Sequence, residues 1–303
     1  MPSLAKAVCD AYSRRKAEQY DSRIGPEVQA PTQSWQPPSG VLGRILLETR
    51  ERIAPLRASE GDIHRKAIAA SPHLPFAAAL RGDKLAVIAE IKRRSPSKGA
   101  INPSLSPAVQ ARAYATGGAS AISVLTEPRH FGGSLDDLGS ARLGADLPLL
   151  RKDFIVDAVQ VAEARAAGAS AVLLIARALA PEHLTDLAAA VQSYGLESLV
   201  EVRSEDELDR ALALPVSLIG VNSRDLETLE IDPGVSARLL PLIPSDRLAV
   251  AESGVATGRD AADVAHMGAD AVLVGSALSA SPDPAALVRE LASVPRVGRA
   301  RRD

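Results

Sequence analysis

Eight short apolar runs, most of them separated by Ala-rich amphipathic stretches, predict an α/β protein closed into a (β/α)8, or TIM, barrel. The runs lie at 86–91, 121–125, 148–151, 171–175, 198–201, 217–221, 247–251 and 271–275. They are continuous rather than alternating, the pattern of strands buried on both faces and therefore parallel and joined by helices. An internal repeat is the second observation. Gly118-Ala119-Ser120-Ala121-Ile122 recurs as Gly168-Ala169-Ser170-Ala171-Val172 and as Gly268-Ala269-Asp270-Ala271-Val272, with Gly144-Ala145-Asp146 as a shorter echo. The full copies stand 50 and 100 residues apart. A unit of about 25 residues therefore fits two and four times. Composition is the third: only 3% of the 303 residues are aromatic, so Ala, Val, Leu and Ile must fill the core, which suits tight helix-on-sheet layers. An open doubly wound sheet is the alternative, but it more often carries a G-x-G-x-x-G turn after its first strand, and none follows residue 91 here.

Taken in order, residues 1–41 mix charge, Gln, Ser and Pro with little sustained period and read as a mobile tail, with a short helix over 4–19 and Trp35 as the one hint of a partner. From Val41 the period becomes helical through Leu42, Ile45, Leu46 and Ile53. A second amphipathic piece follows near 63–70, ahead of the Pro-containing segment 71–76. The barrel is expected over 85–295, with 42–84 as helices outside it and Arg296–Asp303 as a solvated basic end. Within it, Leu184, Leu187, Ala188 and Val191 form a helical stripe closed by Gly195. Ser204 with Glu207 has capping-box spacing, and Thr257 reads as an N-cap.

Composition also excludes several roles. With 35 basic and 37 acidic residues, the chain lacks the charge excess of a nucleic-acid binder. A single cysteine, Cys9, rules out an internal disulfide framework and a four-cysteine zinc site, so a reducing, cytoplasmic setting is expected. No apolar run approaches the roughly 18 residues a membrane span needs, and the N-terminus is not signal-like. His130, His183 and His266 are not spaced as metal ligands and read as surface residues.

Barrel chemistry is sought at the C-terminal ends of strands. Six ends carry polar groups: Glu90 and Lys92; Arg151, Lys152 and Asp153; Glu201; Asn222 and Arg224; Glu252 and Ser253; Gly275 and Ser276. So many ionisable groups at one end of an apolar sheet imply pairing and function. Gly254 and Gly275 leave backbone N–H groups bare beside Ser276, a phosphate cradle that Arg224 and Ser95 could close. The lysines and glutamates could serve as general acid and base, or a lysine could form a Schiff base; composition does not choose.

The motifs do choose. Val87-Ile-Ala-Glu90-Ile-Lys92-Arg-Arg-Ser95-Pro96-Ser97-Lys98-Gly99 resembles the first-strand signature of the indole-3-glycerol phosphate synthases. So, in order, do Ser123-Val-Leu-Thr126-Glu127 with Phe131-Gly-Gly-Ser, Leu150-Arg-Lys152-Asp-Phe154, Asn222-Ser-Arg224-Asp-Leu, Ala251-Glu252-Ser253-Gly254 and Leu273-Val-Gly275-Ser276. The likeness spans about 42–290 and departs at Ala158-Val159, where Pro-Tyr is common in the family, and at Ser223, where a second Asn is frequent.

The resemblance implies a carboxy-lyase of L-tryptophan biosynthesis, with a helical N-terminal segment over the barrel mouth. It makes Lys152 the general acid, Lys92 the anchor of the substrate carboxylate, and Glu201 and Glu90 the proton-transfer groups. Asn222, Glu252 and Ser253 would bind hydroxyls, and Ser95, Arg224, Gly254, Gly275 and Ser276 the phosphate. Pro96, Leu125, Phe131, Phe154 and Leu173 would line a slot for the aromatic ring. It implies no cofactor and a small phosphorylated substrate as the ligand. The residues themselves point to no metal ligand set, to no nucleic acid or membrane as partner, and, with no fused domain and no apolar stripe outside the helices, to a monomer. A phosphoribosylanthranilate isomerase-like barrel, which lacks the first-strand signature, and a non-catalytic relic are the rivals.

Overall fold

The computed structural model describes residues 35–71 and 73–299, and from Gln36 onward the chain forms one compact unit. The expected tail, its helix over 4–19 and Cys9 lie outside the described residues, apart from the last few residues of the tail. Eight parallel strands close the barrel: β1 (Ala86–Ile91), β2 (Ala121–Leu125), β3 (Leu149–Lys152), β4 (Ala171–Ile175), β5 (Glu197–Val202), β6 (Leu218–Asn222), β7 (Leu248–Glu252) and β8 (Ala271–Val274). Each pairs with its sequence neighbours, and β1 closes the ring on β8 with Ala86 opposite Ala271. Every residue of β1, β2, β4, β6, β7 and β8 is buried, which is why these runs show no alternation. After β1 a small hairpin pairs Arg94–Ser95 with Gly99–Ala100.

Outside the barrel lie α1 (Gly40–Ala58), α2 (Glu60–Ala69), α3 (Phe76–Ala79), α4 (Pro107–Gly117), α5 (Pro128–Phe131), α6 (Asp136–Gly144), α7 (Ala158–Ala166), α8 (Pro181–Ser193), α9 (Glu205–Leu212), α10 (Pro233–Leu239), α11 (Gly258–His266), α12 (Ser276–Ala280) and α13 (Pro284–Ala292). Their starts are legible. Proline opens α4, α5, α8, α10 and α13, where its missing N–H is no loss. Thr257 and Asp260 form a reciprocal capping box. At α9 only half of the expected box forms: Ser204 accepts from the Glu207 N–H, while the Glu207 carboxylate reaches one residue further, to the Arg203 N–H at 2.7 Å. The repeated glycines Gly118, Gly168 and Gly268 sit at φ 93°, 86° and 102°, so the Gly-Ala-Ser/Asp-Ala motif is a left-handed helix stop feeding a strand.

The N-terminal helices descend the barrel rather than all crowning it. Val41 and Ile45 of α1 reach the mouth, α2 lies along α7, and α3 docks at the far end. There the Phe76 ring is fully buried and the Glu197 carboxylate, at the start of β5, accepts the Phe76 N–H at 2.6 Å. The helix begins at Gly40, so Val41 belongs to it and not to a tail.

Two expectations are corrected. Arg296 and Arg299 are not solvated: both pair with Asp270, 1% exposed, at 2.5 and 2.7 Å, and Arg299 also donates to the Arg247 carbonyl at 2.7 Å. A buried carboxylate needs such cations, which the sequence pattern of a basic end does not reveal. His130 is half-buried and bonded to Glu48 of α1 at 2.8 Å, tying α5 to α1, whereas His183 and His266 are exposed as expected.

Candidate active site

The C-terminal strand ends surround a cavity of about 330 Å³. Its wall takes Glu90 and Lys92 from the end of β1, Lys152 from β3, Asn222 and Arg224 from the end of β6, Glu252, Ser253 and Gly254 from β7, and Gly275 and Ser276 from β8. Ser95 and Pro96 enter from the hairpin, and Leu125, Phe131, Phe154 and Leu173 from β2, α5, the β3–α7 loop and β4. The Phe131 and Phe154 rings lie 6.2 Å apart at 40° and form an apolar side to the slot. Of the sequence-predicted residues, only Glu201 does not line this cavity. It borders a smaller one of about 140 Å³ beside it, shared with Asn222 and Arg224, and reaches Lys152 from that side.

Lys152 is the electrostatic centre. Its ammonium lies 3.3 Å from Glu201 and 3.6 Å from Glu252. Burial alone would favour the neutral amine, but Glu201, Glu252 and Glu90 outweigh it and hold the lysine charged. Glu252 moves the opposite way from an ordinary carboxylate: burial and the neighbouring Glu201 push its pKa well up against the pull of Lys152. Its Oε1 is buried without a hydrogen-bond partner among the described residues, so the site keeps an unused polar atom. Lys92 and Glu90 form a separate pair at 2.7 Å.

Backbone geometry explains the glycines. Ser253 and Gly254 stand in succession at φ 63° and 84°, a left-handed turn that exposes N–H groups at the end of β7. Gly275 has an unremarkable φ; it is glycine because a Cβ would overlap the Glu90 carboxylate and crowd Lys92 Nζ at 2.8 Å. Gly220, in β6, makes the same room for Glu252. Arg224 donates to the Leu229 carbonyl at 2.7 Å, and burial pulls its pKa down.

Several wall residues escaped sequence reasoning. Val41 and Ile45 close the slot from α1; the helical period of that segment was the available signal. Leu226, Leu229 and Ile231 come from the loop after β6 and have no pattern that marks them. Asp153, one of the polar strand-end groups the sequence points to, is by contrast buried beside Lys152 and held by Arg151 at 3.1 Å, Arg52 of α1 at 3.6 Å and the Thr126 hydroxyl at 2.6 Å. Lys98, on the hairpin turn, also borders the cavity. Among the described residues no group of three or more His, Cys, Asp or Glu is placed to hold a metal ion.

A parallel barrel with lysines and glutamates gathered around a cavity at its strand ends defines a TIM-barrel enzyme. Residues 42–291 match the family described as indole-3-glycerol phosphate synthase, and the chain belongs to that family. An indole-3-glycerol phosphate synthase of Mycobacterium ulcerans (strain Agy99) is 48% identical over 84% of this chain and 94% of its own. Indole-3-glycerol phosphate synthase 2 of Streptomyces coelicolor is 48% identical over 84% and 99%, and the Mycolicibacterium smegmatis synthase 49% over 83% and 93%. Among solved structures, a thiamine phosphate pyrophosphorylase from Pyrococcus furiosus superposes with TM-score 0.52 at 20% identity, over 69% of this chain and 94% of that one, and shares the fold.

Proposed function

We propose that the chain converts 1-(2-carboxyphenylamino)-1-deoxy-D-ribulose 5-phosphate into indole-3-glycerol phosphate, with loss of carbon dioxide and water, in L-tryptophan biosynthesis. The observation that carries this reading is Lys152, charged and 3.3 Å from Glu201, between an aromatic slot and a glycine-lined strand end. Its family membership supports the same reaction.

The substrate has an anion at each end. Arg224, Ser95, Ser276 and the N–H groups at Gly254 and Gly275 receive the phosphate, and Lys92 receives the carboxylate, so the chain is stretched across the cavity with the ring between Phe131, Phe154, Pro96, Leu125 and Leu173. Lys152 then gives its proton to the ketose oxygen as the ring carbon attacks the carbonyl carbon. A lysine held charged by three carboxylates is a weak acid, yet the oxygen it serves becomes a strongly basic alkoxide as the bond forms, so the transfer is matched where it is needed. Carbon dioxide leaves and restores the aromatic ring. One of the Glu90 and Glu201 carboxylates takes a proton from the methylene carbon beside the ring nitrogen, and a second proton donor releases the neighbouring hydroxyl as water, which forms the carbon–carbon double bond of the indole and leaves the N–H in place. Asn222, Ser253 and the unused oxygen of Glu252 hold the substrate hydroxyls. The steps exchange protons and carbon dioxide without net redox change, so they call for no redox cofactor. We read the chain as a cytoplasmic monomer; among the described residues no helix is long and apolar enough to cross a membrane.

The test is the fluorescence of the indole product, with Lys152→Ala beside the wild type. Loss of the acid lowers kcat by about 10²–10⁴-fold. A folded wild-type protein without turnover overturns the reaction; an alanine variant within a few fold of wild type overturns the role of Lys152.

A further inference from the structure

Arg224 sits at the start of a compact loop, Asp225–Glu230, that folds on itself. The Asp225 N–H donates to the Glu230 carbonyl and the Leu229 N–H to the Asp225 carbonyl, each at 2.8 Å, while the Asp225 carboxylate accepts the Glu227 N–H at 2.7 Å. Leu229 stands at φ 71°, a left-handed conformation that costs a branched residue free energy, and its carbonyl is the one that Arg224 grips. The strained carbonyl therefore fixes the guanidinium over the cavity.

Something outside the loop must hold it in that shape: Arg203 pairs with Asp225 at its start at 3.4 Å, and the remaining contacts converge on Glu227. Its carboxylate accepts the Ser39 N–H at 2.8 Å and the Ser39 hydroxyl at 2.5 Å through one oxygen, and Arg177 at 2.7–2.8 Å through the other. Its carbonyl accepts the Val41 N–H at 3.1 Å. Gly40, at φ 59°, lies so near that a Cβ would stand 2.5 Å from that carbonyl. Arg177 also donates to the Gln36 carbonyl at 2.7 Å, so the strand of chain entering α1 is bound from both sides. Ser39 and Arg177 together hold the Glu227 carboxyl below the usual carboxylate range although partial burial opposes them.

We propose that Glu227 is a positioning residue: a clasp between the entry to α1 and the Arg224 loop that sets the guanidinium for the phosphate end of the substrate. It touches no reacting atom and acts through Leu229 and Arg224. The inference rests on the reading that Arg224 binds phosphate, and it assigns to residues 36–41 a part in substrate affinity.

The experiment measures kcat, KM and the competitive inhibition constant of inorganic phosphate for full-length wild type, Glu227→Ala, Glu227→Gln, Gly40→Ala, the Glu227→Ala/Gly40→Ala pair and Arg224→Ala. Losing the clasp raises KM and the phosphate constant together by about 5–10-fold and leaves kcat within about twofold, because only binding-site order is lost. Glutamine keeps an acceptor for Ser39 and Arg177 and recovers part of the affinity. The double variant is no weaker than the worse single one, since both open the same clasp. Independent, multiplying effects in the double variant, or a Glu227→Ala enzyme with unchanged KM and phosphate constant beside a weakened Arg224→Ala, overturn the clasp alone. An Arg224→Ala enzyme with unchanged phosphate inhibition overturns the phosphate assignment and the clasp with it. If Glu227→Ala does not fold, the glutamine and Gly40 variants decide by the same criteria.

Discussion

Gly275→Ala probes the site with a single methyl group. The added Cβ overlaps Glu90 Oε1 and lies 2.8 Å from Lys92 Nζ and 2.9 Å from Glu90 Cδ, whereas unstrained contacts lie near 3.5–4.0 Å. The backbone cannot yield, because the Glu90 carbonyl is fixed by the Tyr114 hydroxyl at 2.9 Å and the Ser279 hydroxyl at 3.2 Å, and Tyr114 is fully buried. The Glu90 side chain must instead swing by roughly 1 Å and break its 2.7 Å pair with Lys92. Displacements of that size cost about 10²-fold in rate, and overpacking of this kind costs about 1–3 kcal/mol of stability. Steady-state turnover followed by indole fluorescence and a thermal denaturation curve read the two effects. At roughly 2–4 °C per kcal/mol, Tm falls by about 2–12 °C. Gly139→Ala in α6 is the control: its Cβ meets nothing within 4 Å, so it leaves kcat alone and raises stability by about 0.5–1 kcal/mol. A Gly275→Ala enzyme with kcat within threefold of wild type refutes the argument that this glycine is reserved for the Glu90–Lys92 pair.

Two further expectations concern charge. Glu252 has its pKa raised from the ordinary 4.5 by burial and Glu201, so the folded state binds its proton more tightly than the unfolded chain does. The resulting loss of stability grows as pH rises from 4.5 toward the folded value. Glu252→Gln removes that loss, so its urea midpoint relative to wild type improves from about pH 5 to pH 8 while activity drops; an unchanged difference across that range contradicts the shift. At the other end of the barrel, Arg299→Ala leaves Asp270 with Arg296 alone and lowers stability by about 2–3 kcal/mol, read as a lower Tm with kcat and KM unchanged.

The barrel was legible because its rules are local. Strands buried on both faces show as unbroken apolar runs, and left-handed helix stops demand glycine, so Gly118, Gly168 and Gly268 announce three units at once. Residues that follow a strand directly were legible for the same reason: Glu90, Lys152 and Glu252 fall at strand ends and so at the mouth. What pattern could not give was any relation across the chain. The 188-residue reach from Ser39 to Glu227 leaves no periodic trace, nor does the recruitment of Arg299 by Asp270. A basic terminal run looks the same whether water or a buried carboxylate is its partner. Nor could pattern separate the two reasons for glycine, conformation at Gly254 and room for a neighbour at Gly275.

The Gly-Ala-Ser/Asp-Ala motifs have a consequence for how the chain tolerates change. At the end of the barrel away from the cavity, the third position of the motif, directly before the strand, sends a side chain to the neighbouring strand: Ser170 accepts the Leu149 N–H at 3.3 Å and Asp270 the Ala249 N–H at 2.8 Å. That end is thus laced together by its own small set of bonds, independent of the lysines and glutamates at the other. Substitutions that tighten the lacing can raise the melting temperature without a turnover penalty, and mutational tolerance should divide along the barrel axis: drift at the mouth costs rate, drift at the base costs folded protein.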